Sequence, residues 1–311
     1  MHSAPAEPSM TETIVAYGLS TEGPCEPAAL ERELALFAES GCTAAEISLQ
    51  NSLAVHAGRV NGPEVERLAA VLRRFPLRYT AHGPLGMNLM DAAHHDLHVA
   101  VCRAMIEATA ALGATVLVVH GGVWEHGLAP AEVERRKRME VEALRALGDV
   151  AARHGVMLAF ENLPPLPHIP ETHDAWGIAA QVEAVGHPNV GATLDIGHAA
   201  MMATAKQQDL AASIAAMAPH VVHLHLQDQC GRLDTIRLPG TGEKLAYGTG
   251  DLHAPPGWGD IPLERLLAGF APRAGTVMIY ELSERFFRFV PETAAALRRL
   301  AARVGTARQA A

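Results

Sequence analysis

Short apolar segments alternate along the chain with longer stretches in which apolar residues recur every three to four positions. Apolar runs of four to eight residues predict buried strands, and the longer period predicts amphipathic helices. Strand patterns occupy residues 13–19, 44–49, 77–82, 115–120, 156–161, 190–195, 221–226 and 277–282. Helical patterns such as residues 27–41 and 129–155 lie between them. Eight such repeats predict an α/β protein, a closed (β/α)8 TIM barrel rather than an open sheet.

The spacing of the strands predicts a single domain over residues 12–305. The first seven strand candidates begin roughly 30 to 40 residues apart without an intervening linker. Residues 1–11 are rich in Pro and Ala, and we expect them to be a disordered tail. A Gly-rich insertion at about residues 229–250 is long for a connecting loop, so we expect it to act as a lid.

Composition narrows the classes of partner. The 311 residues are 49% apolar and carry a formal charge of −9, which argues against nucleic acid as a partner, because binding a phosphate backbone needs clustered Lys and Arg. No apolar run approaches the length of a membrane span. The four cysteines, widely separated, predict reduced thiols and a cytoplasmic location. A small molecule is the partner that these features favour.

Six strand candidates end at a residue that can bind a metal ion. These residues are His82, His120, Glu161, Asp195, His225 and Glu281. A single histidine at a strand end is usually a packed loop residue, but the carboxyl ends of barrel strands converge on one mouth. Carboxylates and imidazoles gathered there would repel or be desolvated at high cost unless a cation neutralised them. The pattern therefore predicts a metal site at the mouth of the barrel.

Seven segments, in order, carry a resemblance to a known family. They read AHGPLGMNLMD, LGATVLVVHGG, FENLP, TLDIGHA, HLHLQD, DLHAPPGWGDI and YELS. Together they resemble the xylose-isomerase-like TIM barrels, a superfamily of sugar phosphate isomerases and epimerases related to endonuclease-IV-type AP endonucleases, over about residues 12–300. The resemblance implies that a divalent cation is bound by Glu161, Asp195, His225 and Glu281. His223 would lie one layer deeper on the same inward face, in a packed position.

The resemblance also implies a reaction. The protein would be a metal-dependent isomerase or epimerase, or a related dehydratase or lyase, that acts on a ketose, an inosose or an oxidised sugar. A cation that chelates a hydroxyketone stabilises its enediolate, and Glu161 and Glu281 would be the two bases. The donor set suits manganese, cobalt, magnesium or zinc without choosing among them, and no organic cofactor is expected.

Further residues are candidates for contacts with the substrate. The resemblance implies that His198 binds the sugar, and it places Arg232 near a substrate-binding arginine of family epimerases, with one extra residue after His225. His82 and His120 end neighbouring strands at the same mouth, and Trp124 follows closely enough to form a wall of the site.

A second interpretation competes with the first. Asp251 and His253 resemble the Asp-x-His pair that completes a three-zinc cluster in endonuclease-IV-type enzymes, and with His198 they are possible additional metal ligands. Such a cluster would favour a trinuclear metal phosphoesterase. A third interpretation is a partner-dependent subunit of a sugar-processing complex. The acidic charge favours a sugar over a polyanion, and we expect a homodimer or homotetramer.

Overall fold

The computed structural model describes residues 13–165, 171–238 and 240–306, so the tail expected at residues 1–11 lies outside it. Eight parallel strands close into a barrel in which neighbours follow chain order and the last strand pairs with the first. They are β1 (Ile14–Ser20), β2 (Ala44–Ser48), β3 (Arg78–His82), β4 (Val116–His120), β5 (Met157–Glu161), β6 (Val190–Asp195), β7 (Val221–Leu226) and β8 (Thr276–Tyr280). The prediction of a (β/α)8 barrel is confirmed, and every strand lies within two residues of its predicted bounds.

Helices surround the barrel and connect its strands. They are α1 (Pro27–Glu39), α2 (Gly62–Leu72), α3 (His95–Ala111), α4 (Pro130–His154), α5 (Ala175–Val185), α6 (Ile196–Lys206), α7 (Leu210–Met217), α8 (Thr241–Tyr247), α9 (Leu263–Gly269) and α10 (Val290–Ala301). Three 3₁₀ helices span Leu49–Asn51, Ala218–His220 and Glu284–Phe289. Two small antiparallel sheets pair Val55–His56 with Arg59–Val60 and Val123–Trp124 with Glu171–Thr172. No described helix is both long enough and apolar enough to cross a membrane.

Close packing between β1 and β2 sets the position of the second strand. Gly18 lies so near β2 that a Cβ atom there would be 1.7 Å from the carbonyl oxygen of Ala44, a distance that no side chain permits. This approach brings Ser20 into register with Glu46. All five residues of β2 are buried, so Glu46 lies inside the barrel although it is charged. Glu46 therefore contributes a polar group to the floor of the cavity at the carboxyl ends of the strands.

Candidate metal centre

A cavity of about 660 Å³ opens at the carboxyl ends of the barrel strands. Its lining includes Glu46, His82, His120, Glu161 and Glu281, which approach from five different positions around the barrel. The arrangement follows from parallel strands, because all eight carboxyl ends lie at one face of a closed barrel. Four of the six predicted strand-end residues therefore line one cavity.

The predicted ligand set comes together beneath this cavity. Glu161, Asp195, His225 and Glu281, which we call the central cluster, each offer a ligand atom, and these atoms lie within 4.8 Å of one another. His225 Nδ1 is 3.0 Å from Glu161 Oε1 and 3.4 Å from Glu281 Oε1. Glu161 and Asp195 end β5 and β6, His225 is the last residue but one of β7, and Glu281 directly follows β8. Four consecutive strands thus supply the cluster.

Two buried carboxylate oxygen atoms of the central cluster have no hydrogen-bond partner among the described residues. They are Glu161 Oε2 and Asp195 Oδ2. A buried carboxylate oxygen that is not paired is costly, and a bound cation removes that cost. Three carboxylates and one imidazole form a donor set that fits a divalent cation.

A second group of potential ligands lies beside the first. His198, Asp251 and His253, the outer cluster, also bring ligand atoms within 4.8 Å of one another. Asp251 Oδ2 is 3.3 Å from His198 Nε2 and 3.0 Å from His253 Nε2. His198 is placed by the start of α6, where Asp195 Oδ1 accepts a hydrogen bond from its backbone nitrogen at 2.6 Å. The Asp-x-x-His segment therefore contributes one residue to each cluster.

His82 and His120 form a third group with Glu161. Each ring directs Nδ1 at a backbone carbonyl, His82 at Gly83 (2.9 Å) and His120 at Leu85 (3.3 Å). Because a carbonyl only accepts, Nδ1 carries the hydrogen and Nε2 is turned towards Glu161 Oε2, at 3.5 Å from His82 and 3.3 Å from His120. Glu161 thus presents one oxygen to the central cluster and the other to these two histidines.

The sequence profile of the xylose isomerase-like TIM barrels matches residues 34–306. The chain belongs to that family. No protein of the curated collection matches the chain. Among solved structures, a D-tagatose 3-epimerase-like protein has a TM-score of 0.69 at 18% identity, covering 96% of this chain and 100% of its own. A 3-keto-D-glucoside 4-epimerase from E. coli has a TM-score of 0.64 at 17% identity, with coverages of 91% and 99%.

A protein from Thermus thermophilus, soaked with ZnCl2, is also similar, with a TM-score of 0.62 at 23% identity and coverages of 93% and 98%. Identities this low show a shared barrel fold. The chemistry of this xylose isomerase-like barrel depends on the residues at its own site.

Burial and the charges of neighbouring side chains shift the pKa values of the residues in the central cluster. Burial raises the pKa of Glu281 to about 7, although the nearby imidazoles of His225 and His253 act in the opposite direction. Burial would also raise the pKa of Glu161, but His225, His120 and His82 hold it well below its ordinary value. The carboxylates of Glu281, Glu46 and Glu161 overcome burial to raise the pKa of His225 well above its ordinary value. A proton on His225 and a cation are therefore alternative ways to compensate the same carboxylates.

Glu46 was not among the predicted residues of the xylose isomerase-like site. Its Oε1 lies 2.9 Å from His225 Nε2, and its Oε2 lies 3.0 Å from Thr80 Oγ1 and 3.3 Å from His223 Nε2. Burial opposes ionisation, yet the His225 and His223 imidazoles lower the pKa of Glu46 to about 2. The available signal was a glutamate in the middle of a mostly apolar strand. His223 lies one layer below His225, with the ring centroids 4.8 Å apart.

Two residues that the sequence predicts to contact the substrate do not line the cavity. Arg232 is exposed, and its Nη1 donates to the carbonyl oxygen of Tyr247 at 3.1 Å. Trp124 is buried against His173, and its Nε1 donates to Glu171 Oε2 at 3.2 Å. Neither residue lines the cavity, and a role in substrate binding stays a prediction for both. Charged side chains that line the cavity from outside the barrel strands include Glu22, Lys244, Asp251 and Arg285.

Proposed function

We propose that the protein is a divalent-metal-dependent sugar isomerase or epimerase. The observation that carries this proposal is the meeting of Glu161 and Glu281 at one buried cluster beneath the cavity, from positions separated by β6 and β7. Two carboxylates that approach one site from different directions can serve two faces of a small substrate. The cavity of about 660 Å³ is of the size that binds small molecules. The epimerases among the structural neighbours add support at the level of fold.

The two glutamates would divide the work of moving a proton. A cation in the central cluster, whether manganese, cobalt, magnesium or zinc, would polarise a substrate carbonyl and make the adjacent C–H acidic. Glu161 remains ionised and can accept that proton. Glu281, on the other side of the cluster, would return a proton to the opposite face. Removal on one face and return on the other inverts the carbon.

The same arrangement suits a polyhydroxylated substrate. His198 Nδ1 donates to the carbonyl oxygen of Asn162 at 2.9 Å, so its Nε2 faces the cavity beside Asp251. His82 and His120 turn their Nε2 atoms to the same space. We propose that these three imidazoles bind sugar hydroxyl groups. A cytoplasmic location and a homodimeric or homotetrameric assembly stay predictions.

A phosphoesterase is the second candidate, and the outer cluster is the observation that favours it. With His82, His120 and Glu161 as a third ligand group, three cations could surround the cavity, an arrangement suited to phosphodiester hydrolysis. The net charge of −9 opposes the approach of a polyanion, which places this candidate second. The partner-dependent subunit proposed from the sequence stays a prediction.

Solvent exchange and metal content separate the two candidates. The metal-loaded protein would be incubated in deuterated water with ketoses, inososes and oxidised glycosides, and in parallel with phosphodiesters that include abasic-site DNA. Deuterium at a carbon next to the carbonyl, by mass spectrometry, is the result expected for an isomerase or epimerase. Cleavage of a phosphodiester by protein that holds three ions per chain, with no exchange in any sugar, would overturn the proposal.

A further inference from the structure

A buried hydrogen bond crosses the interior of the barrel from β2 to β7. Glu46 Oε1 and His225 Nε2 are 2.9 Å apart, and both residues are fully buried. Strands β1 and β8 lie between β2 and β7 in the sheet, so this bond joins side chains across the barrel rather than between neighbouring strands. The other ring nitrogen of His225, Nδ1, faces Glu161 and Glu281. The two nitrogens of one ring thus face different partners.

The partner of Nε2 decides what Nδ1 can do. An ionised carboxylate accepts hydrogen bonds and donates none, so Nε2 must carry the hydrogen in the bond to Glu46. A neutral imidazole with its hydrogen on Nε2 has a lone pair on Nδ1, and that lone pair is what a metal ion requires. A carboxylate on the far nitrogen also fixes the orientation of the ring and raises its basicity as a ligand.

Glu46 is itself held in place. Thr80 Oγ1, on β3, donates to Glu46 Oε2 at 3.0 Å, which leaves Oε1 for His225. Among the described residues, the titratable groups within 4 Å of the Glu46 carboxylate are the imidazoles of His223 and His225, and no Lys or Arg pairs with it. An uncompensated buried charge is costly, and a Lys or Arg would compensate it permanently. Glu46 faces imidazoles instead.

We infer that Glu46 is a positioning residue, which holds His225 in its Nε2–H form and thereby presents Nδ1 to a cation in the central cluster. This inference rests on the metal that the proposed function assigns to that cluster. Glu46 does not bind the cation in this role, because its Oε1 and Oε2 are engaged by His225 and Thr80. Its effect passes through His225.

Glu46→Gln is the decisive variant, and the chain supplies a matched control. The glutamine has nearly the same shape, but its amide nitrogen can donate to Nε2 and so favour the hydrogen on Nδ1, the form that cannot bind metal. Glu140 is also fully buried, and its Oε2 lies 2.8 Å from His173 Nε2. Glu140→Gln therefore disrupts a buried glutamate–histidine pair of the same kind outside the clusters.

Affinity for Mn²⁺ and Co²⁺ would be measured by competition with a chelator, with Co²⁺ absorption as a second readout and thermal unfolding to check each fold. We expect Glu46→Gln to weaken binding of the tightest ion by about 10–100-fold, the range for residues that orient metal ligands, and to alter the Co²⁺ spectrum. Glu140→Gln should lower thermal stability and leave both metal readouts unchanged. Equal affinities in wild type and Glu46→Gln, or equal losses in both variants, would overturn the inference.

A third variant covers the case in which Glu46→Gln does not fold. Thr80→Val keeps the carboxylate but removes the hydrogen bond that fixes it, and we expect binding about fivefold weaker, as for the loss of one hydrogen bond. Unchanged affinity in Thr80→Val would then refute the positioning role. Wild-type protein that binds no divalent ion would reject the proposed function and this inference together, whereas normal wild-type binding with insensitive variants rejects only the inference.

Discussion

The central and outer clusters differ in how the chain supports their ligands. Glu161 and Asp195 end barrel strands, His225 is the last residue but one of β7 and Glu281 directly follows β8, whereas Asp251 and His253 lie on the loop between α8 and α9. The central residues are at most 8% exposed. About a quarter of each outer loop side chain is exposed, 24% for Asp251 and 25% for His253. Strand ends held by the sheet are more rigid than a loop, so we expect the central cluster to bind its ion first and more tightly.

The difference also extends to the backbone. His253 has a φ of 47°, in the left-handed region that non-glycine residues seldom adopt. Gln227 holds this loop, since its Nε2 donates to Asp251 Oδ1 at 2.5 Å and its Oε1 accepts from the His253 backbone nitrogen at 3.2 Å. Backbone bonds from Ser283 to His253 and between Asp228 and Ala254 also hold the loop. The loop ligands of the outer cluster therefore depend on Gln227 and a few backbone bonds, while the central cluster depends on the barrel itself. The comparison suggests that catalysis belongs to the central cluster and adjustment of the site to the outer one.

The largest expected effect tests the catalytic assignment. Glu281→Gln keeps the shape of the side chain but removes a group that is both a proposed base and a proposed metal ligand, so exchange is measured on variant protein whose metal content has been matched to wild type. Under those conditions, solvent-derived deuterium exchange into the substrate should fall by about 10²–10⁴-fold. Glu284→Gln, three residues away on an exposed position, is the control and should exchange as wild type does. Exchange in Glu281→Gln at the wild-type rate would exclude Glu281 as a base.

A matched pair of substitutions separates the clusters by metal content. Asp195→Asn should abolish binding of the tightest ion, because it removes a carboxylate ligand while an asparagine can still cap α6. Asp251→Asn should retain that ion and lose only weaker binding. Metal analysis of each variant after dialysis against a limiting chelator gives the counts. The reverse pattern would mean that the outer cluster is the primary site.

Binding should depend on pH, and more steeply at the outer cluster. Burial opposes protonation of His253, but Asp251 raises its pKa to about 10, and the pKa of His198 is raised well above its ordinary value by Asp195 and Asp251. Both rings must lose protons to bind metal, so affinity should rise with pH between 7 and 9, by about tenfold per unit for each proton displaced. Calorimetry in buffers of different ionisation enthalpy counts those protons. If the affinity for the second ion does not change between pH 7 and 9, His198 and His253 are not its ligands.

The smallest effect concerns the support of the outer loop. Gln227→Ala removes both hydrogen bonds to the loop, and we expect the second ion to bind about tenfold more weakly, at the low end for residues that orient ligands. The first ion should bind as before. Gln208→Ala, whose side chain instead contacts Asp174, is the control. If Gln227→Ala instead weakens binding of the ion in the central cluster alone, Gln227 does not act on the outer cluster as we predict.

The barrel and the convergence of its strand ends were predictable for a common reason. Apolar runs at regular spacing specify parallel strands, and parallel strands bring their carboxyl ends to one face, so Glu161, Asp195 and His225 could be grouped without coordinates. Loop paths follow no such period, and Arg232, on a long loop, lies away from the cavity. Glu46 was missed because it sits within β2 rather than at its end. Its role depends on a partner across the barrel that no local pattern reveals.

The bond between Glu46 and His225 joins residues 179 positions apart in the chain. Contacts of such long range form only when most of the chain has folded, because the loop between them must first be closed. The four central ligands all come from the second half of the barrel, whereas Glu46, His82 and His120 come from the first half. The second half supplies the ligands but not the Glu46 carboxylate that holds His225, so the gain of full metal affinity during refolding would report the moment at which the two halves of the barrel close.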